Sequence, residues 1–149
     1  VIGSFNSENL IEKDGKEVSI LSQTGRGYYV LGVLGMGQEP TNHALHDIAK
    51  MKEKLDKWGR PMVLLFTNQA EKDKFEAQKG EFGNLLKNTI FGIDKDGTVV
   101  KEIAKEMKLR NPNQLPIFII ADTFNRVVFL SQGYTIGLGE QLVKVSSKL

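Results

Sequence analysis

A layered α/β fold, its sheet mainly parallel and covered by helices on both faces, is what this sequence predicts, and three features predict it. Two short, mostly apolar runs, YYVLGVL at 28–34 and MVLLF at 62–66, have the character of strands buried on both sides. Between and beyond them lie stretches with apolar residues three and four apart, the mark of helices with one buried face. Two more apolar runs, IFIIA at 117–121 and VVFL at 127–130, are separated only by Asp122-Thr123-Phe124-Asn125-Arg126, too short for a helical crossover, so they form an antiparallel hairpin. Strands that alternate with helices need a sheet covered on both faces, and the closing hairpin adds an antiparallel edge.

The elements follow in order. Residues 1–24 form a polar, strand-rich lead-in in which Asp14-Gly15 turns the chain between Asn9-Leu10-Ile11 and the alternating Val18/Ile20 segment. After the strand at 28–34, Gly35 to Pro40 breaks regular structure. Ala44, Ile48, Met51, Leu55 and Trp58 then recur at spacings of four, three, four and three, a single amphipathic helix ending near Gly59. Pro61 opens the strand at 62–66. Ala70 to Ala77 is a short helix, and Gly80, Gly83 and Asn84 mark a loop. A third strand falls at Thr89–Ile93. Beyond Asp96-Gly97, Val100, Ile103, Ala104 and Met107 fit one helix face, which Asn111-Pro112-Asn113 ends. The last helix carries Leu138, Leu142, Val145 and Leu149 on one side. The chain thus divides into an extension, 1–24, and a domain, 25–149, of order β-α-β-α-β-α-β-β-α.

Composition narrows the function. With 149 residues, 40% of them hydrophobic, one core is enough. The apolar run Ile117–Ala121 falls far short of the roughly 18 residues a membrane span needs, and no run is longer. The chain starts at Val1 and its four methionines are internal, which points to a piece of a longer polypeptide. Twenty basic and 18 acidic residues are interleaved, for a net charge of +2. The densest basic stretch, Lys50–Arg60, is interrupted by Glu53 and Asp56 and has no aromatic residues spaced for base stacking, so no nucleic-acid partner is expected. There is no cysteine, which removes disulfides, thiolate nucleophiles and cysteine metal sites from this stretch.

Two segments carry a family likeness. VLGVLGMGQEPTNHALHDI, residues 30–48, resembles the strand, active-site turn and first helix of thioredoxin-like thiol-disulfide oxidoreductases of the cytochrome-maturation type. Those proteins place Cys-x-x-Cys at the helix start, where this chain has Gln38-Glu39-Pro40-Thr41, with the proline kept and both cysteines replaced. LPIFIIADTFNRVVFLSQGYTIGLGEQLVKV resembles the same family's cis-proline strand, hairpin, glycine and terminal helix, with Pro116 as the cis-proline and Gly133 as the glycine. The resemblance implies a thioredoxin-like three-layer sandwich with a mixed sheet and an N-terminal hairpin extension. The chain is also similar to the C-terminal regions of bacterial transglutaminase-like proteins, which implies an accessory role within a larger protein and suggests export to the periplasm or beyond.

Other constellations carry less. Gly35-Met36-Gly37-Gln38-Glu39-Pro40 has the setting of a dinucleotide loop, but proline replaces its third glycine and no acidic residue closes the second strand. No Walker motif is present. Asp94-Lys95-Asp96-Gly97 would put Gly92 and Ile103 at the first and twelfth positions of a calcium loop, neither of them a ligand, so it is a helix-entry turn. No G-x-S-x-G occurs. His43 and His46, three apart near Glu39 and Asp47, could act in metal or acid/base chemistry, yet no third ligand is fixed by local spacing. Thr41 or Asn42 reads as a helix N-cap.

No cofactor, metal or catalytic thiol is expected. The resemblance implies a redox-inactive binding module whose partner is a neighbouring domain or a peptide segment. It places Gln38, Glu39, Pro40, Thr41, Leu115 and Pro116 along a shallow groove, with His43 at the rim and free backbone groups beside Leu115 to pair with an added strand. Glu39 disfavours an anionic ligand there, so a neutral or basic segment fits better. The alternative is an enzyme that uses His43, His46 and Glu39 at the same helix start.

Overall fold

The computed structural model describes residues 1–82 and 85–149; Gly83 and Asn84, assigned to a loop above, lie outside the described residues. From the N-terminus the chain forms β1 (Gly3–Ser4), β2 (Leu10–Lys13), β3 (Lys16–Ser19), α1 (Ile20–Thr24), β4 (Tyr28–Leu34), α2 (Glu39–Lys50) and α3 (Lys52–Trp58). It continues with β5 (Met62–Phe66), α4 (Gln69–Gln78), β6 (Thr89–Ile93), α5 (Thr98–Met107), β7 (Ile117–Asp122), β8 (Arg126–Gln132) and α6 (Leu138–Ser146).

The described strands form one sheet in the order β1-β8-β7-β4-β5-β6-β2-β3. Only β4, β5 and β6 run parallel to one another, while β7 lies antiparallel to β4. The sheet is therefore mixed rather than mainly parallel, and the β7–β8 hairpin sits inside it, not at its edge. Connection length explains this. Helix α5 leaves the end of β6 and finishes with Met107 beside Gly3, at the far end of the sheet. Residues 108–116, at about 3.3 Å each when extended, then carry the chain back to where Ile117 pairs with Val33. The first 24 residues supply both ends of the sheet: β1 pairs with β8, and the β2–β3 hairpin joins β6 through Glu12 and Ile93.

Alternation along the central strands sends side chains into two cores. Val30, Leu34, Leu64, Phe66, Phe118 and Ile120 meet Leu45, Ile48, Leu55, Phe75 and Leu142 of α2, α3, α4 and α6. Leu31, Val33, Val63, Leu65, Ile117 and Ile119 meet Ile20 of α1 and Val99 and Ile103 of α5. Strands buried on both sides have no polar face to show, as their composition required. A close approach fixes one layer: a β-carbon on Gly139 in α6 would overlap the Asp47 carbonyl of α2.

Several helix limits differ from the sequence reading. The helix expected to run unbroken to Trp58 is interrupted at Met51 (φ −101°, ψ 12°), whose N–H bonds to the Ile48 carbonyl at 3.0 Å. The apolar spacing crosses this tightened turn unchanged, so periodicity is blind to it. Ile20 opens α1 instead of extending β3, because the Ser19 hydroxyl accepts the Ser22 N–H at 3.1 Å and starts a helix there. Helix α5 ends at left-handed Lys108, before Asn111-Pro112-Asn113. Helix α6 stops at Ser146, leaving Leu149 exposed beyond the buried face. The Asp94–Gly97 segment is a helix-entry turn: the Asp94 carboxylate accepts the Val99 and Val100 N–H groups at 2.7 and 3.0 Å.

Candidate functional site

Three segments meet at the end of β4. The chain leaves the strand at Gly35, loops through Met36 and Gly37, and enters α2 at Gln38; Leu115 and Pro116 approach from the other side just before β7. The Leu115–Pro116 peptide bond is cis. Gly35 lies in a crowded place, since a β-carbon there would stand 2.9 Å from the Gln38 amide nitrogen, displacing that side chain, and 3.0 Å from the Leu115 β-carbon. The loop is held by Glu71 of α4, whose carboxylate accepts the Met36 N–H at 3.1 Å.

Neither Thr41 nor Asn42 caps the helix. Gln38 occupies the cap position without a side-chain cap bond, and Pro40 in the first turn needs no acceptor because it has no N–H. Thr41 is fully buried and its hydroxyl accepts the Gly35 N–H at 3.1 Å, tying the helix back to the strand it follows. The Thr41 N–H is itself bonded to the Gln38 carbonyl at 3.0 Å, so the helix start offers fewer free donors than expected.

Gln38 changes the groove most. Its Oε1 accepts the Leu115 backbone N–H at 3.0 Å, and its Nε2 donates to the Asn113 carbonyl at 3.2 Å. The Leu115 N–H is therefore not free for an added strand, because the carboxamide carries an acceptor and a donor at the reach a peptide bond would have. Beyond this bridge a cleft of about 260 Å³ opens, lined by Gln38, Thr67, Asp94, Val100, Asn113 and Leu115. Burial pushes the Asp94 carboxyl above its usual range, an effect only partly opposed by the Val99 and Val100 N–H bonds.

The outer rim is polar and aromatic. Glu39 and His43 are exposed one turn apart, with His43 Nε2 3.3 Å from Glu39 Oε1. The His43 ring stands edge-on to Tyr134, centroids 5.1 Å apart, and Tyr134 is exposed in the loop after β8. His46 points elsewhere, its ring against Phe82 at 5.4 Å. The two histidines thus have separate surroundings, and among the described residues no group of three or more His, Cys, Asp or Glu side chains could hold a metal ion. Spacing alone could not have found Glu71, Tyr134 or Asn113, which come to the site from distant segments.

With this geometry in place, comparison with solved structures is informative. Reduced Prx3 of Vibrio vulnificus matches with a TM-score of 0.69 at 16% identity, covering 99% of this chain and 98% of its own. A SCO1/SenC family lipoprotein of Bacillus anthracis matches with a TM-score of 0.70 at 13% identity, covering 98% and 95%. A secreted disulfide oxidoreductase of Mycobacterium tuberculosis matches with a TM-score of 0.67 at 12% identity, covering 95% and 96%. The fold is thioredoxin-like. The matches extend over nearly the whole chain. No family model and no curated protein matches the sequence. At these identities the likeness establishes the fold alone, on a chain without cysteine. No described helix is long and apolar enough to cross a membrane.

Proposed function

We propose that this thioredoxin-like domain is a redox-inactive binding module, an accessory part of a larger exported bacterial protein of the transglutaminase-like kind. One observation carries this reading. At the helix start where thiol chemistry would require a cysteine, Gln38 bridges to the Leu115 and Asn113 backbone, a contact that keeps a peptide-sized groove in shape without a nucleophile. The contact face is presented by Gln38, Glu39 and Pro40, with the buried Thr41, Leu115 and Pro116 behind them and His43 beside it, and the partner is a neighbouring domain of the same polypeptide or a peptide segment. Glu39 favours a neutral or basic segment. Export is supported by the secreted and lipoprotein nature of two of the matched structures.

The test is amide chemical-shift mapping of the chain with the rest of its polypeptide and with a library of extended peptides. Perturbations at the amides of residues 38, 39, 41–43 and 115 are expected. Shifts confined to α6 or the sheet edges, with those residues silent, would remove the proposed face. Reduction of insulin disulfides by mass-verified protein would remove the redox-inactive reading.

A further inference from the structure

The rim of the groove carries a second set of groups, on the loop that follows β8. Residues 133–137 are fastened at three points. The Gly133 N–H donates to the Pro116 carbonyl at 2.9 Å, the Ser131 and Thr135 hydroxyls are bonded at 2.6 Å, and Gln141 Nε2 donates to the Ile136 carbonyl at 3.2 Å. The loop nonetheless turns two large side chains outward, Tyr134 at 57% and Ile136 at 79% exposure. The Tyr134 ring meets the His43 ring at 86°, and His43 Nε2 stands 3.3 Å from Glu39 Oε1. At the other end of the loop the Glu140 carboxylate folds back over Gly137, 2.9 Å from where a β-carbon would stand.

Fixed charge on the segments that build this end of the molecule has one sign. Residues 30–49, 111–121 and 127–143 carry Glu39, Asp47 and Glu140 but no lysine or arginine. Cations on neighbouring segments are otherwise placed. Lys74 is paired with Glu71 at 3.0 Å, and Arg110 follows Leu109, which packs in the core on the opposite face of the sheet. Lys144, one turn beyond Glu140, forms no ion pair with it among the described residues. The starts of α2 and α6 each add about half a positive charge, less than the full charge of the carboxylate in each first turn. An exposed tyrosine ring with a carboxylate on either side suits a guanidinium, which lies flat on the ring while its N–H groups bond the carboxylate.

We propose that the Glu39–Tyr134–Glu140 rim is a subsite for an arginine side chain of the peptide held in the groove, with the guanidinium over Tyr134 and bonded to Glu39, and with its methylenes along Ile136. The subsite rests on the groove reading and narrows it, from a neutral or basic segment to one that carries an arginine beside the Gln38 bridge.

The experiment titrates isotope-labelled protein with the blocked pentapeptide Ala-Val-Arg-Val-Ala and with two versions in which lysine or citrulline, the uncharged isostere, replaces the arginine. Saturable shifts are expected at Glu39, His43, Tyr134 and Thr135 together with Gln38 and Leu115. The arginine peptide is expected to bind about fivefold more tightly than the citrulline one, with the lysine peptide between them. Tyr134→Leu is expected to weaken the arginine peptide roughly two- to fivefold and Tyr134→Phe to preserve it. Glu39→Gln is expected to remove most of the preference for arginine over citrulline. Equal affinity for the arginine and citrulline peptides, or for the arginine and lysine peptides, with shifts at Gln38 and Leu115, overturns the subsite and leaves the groove reading intact. Shifts and arginine preference at Glu39 and Tyr134, with Gln38 and Leu115 silent, support the subsite and remove the groove. No saturable shift at millimolar peptide overturns both. Shifts at Tyr134 and Ile136 that depend on protein concentration alone assign these side chains to a second copy of the chain and overturn the subsite.

Discussion

Gln38 and Leu115 are joined by a side-chain-to-backbone hydrogen bond of 3.0 Å between residues 77 positions apart, and the same carboxamide returns a bond of 3.2 Å to the Asn113 carbonyl. Gln38→Ala breaks both. The expected loss is about 1 kcal/mol of stability, with faster exchange of the Leu115 amide. Gln38→Glu keeps an acceptor but no donor, so near neutral pH it should retain the Leu115 protection and lose only the Asn113 contact. Unchanged Leu115 exchange in Gln38→Ala would show that the bond is not formed in solution.

The Thr41 hydroxyl is the acceptor for the buried Gly35 N–H. Thr41→Val preserves shape but leaves that donor unsatisfied, which is expected to cost about 1–3 kcal/mol in urea unfolding. Thr41→Ser should recover most of it. If valine and serine were equally tolerated, packing alone would account for the residue.

Gly139 allows α6 to lie on α2 at the Asp47 carbonyl. A backbone atom cannot move aside as a flexible side chain can, so Gly139→Ala should destabilise by about 1–3 kcal/mol and lower the melting temperature by several degrees. Gly37→Ala is the control, since nothing stands within 4 Å of a β-carbon there. Similar melting temperatures for the two variants would contradict the close packing.

Acid stability should depend on Asp122. Burial alone would raise its carboxyl, but the Arg126 guanidinium and the Arg126 and Phe124 N–H groups outweigh burial and hold it below the usual carboxylate range. A carboxyl with a lowered folded value contributes stability that is present above its unfolded value, about pH 4, and is lost as pH falls through the folded one. Arg126→Gln removes the charge, so the midpoint of acid unfolding followed by circular dichroism should move to higher pH. Asp94 has the opposite sign. Its folded value is raised by burial, so its contribution is full at low pH and declines as pH climbs through that value.

Zinc or nickel added to the chain should find no submicromolar site, because His43 faces Glu39 and Tyr134 while His46 faces Phe82. Calorimetric titration tests this. A tight site abolished by His43→Ala or His46→Ala would revive the enzymatic alternative at this helix start.

Much of the architecture is legible in the chain because it depends on local periodicity. The apolar runs at 28–34 and 62–66 have the character of strands buried on both sides, the run at 117–121 that of one arm of a hairpin, and the spacing of Val100, Ile103, Ala104 and Met107 that of a helix with one buried face, and each forms the element it predicts. The absence of cysteine likewise removes thiol chemistry before any coordinate is known. Local spacing has no information about which strand becomes whose neighbour. The mixed sense of the sheet depends on how far residues 108–116 reach. At the candidate site, sequence placed Gln38, Thr41, Leu115 and Pro116 together through a resemblance, yet it gave Thr41 the role of a cap and left Leu115 free. Both errors have one physical cause. A side chain's hydrogen-bond partner is chosen by whatever buried donor lies within about 3 Å, and here those donors, Gly35 and Leu115, are brought into reach only when the sheet and its helices pack.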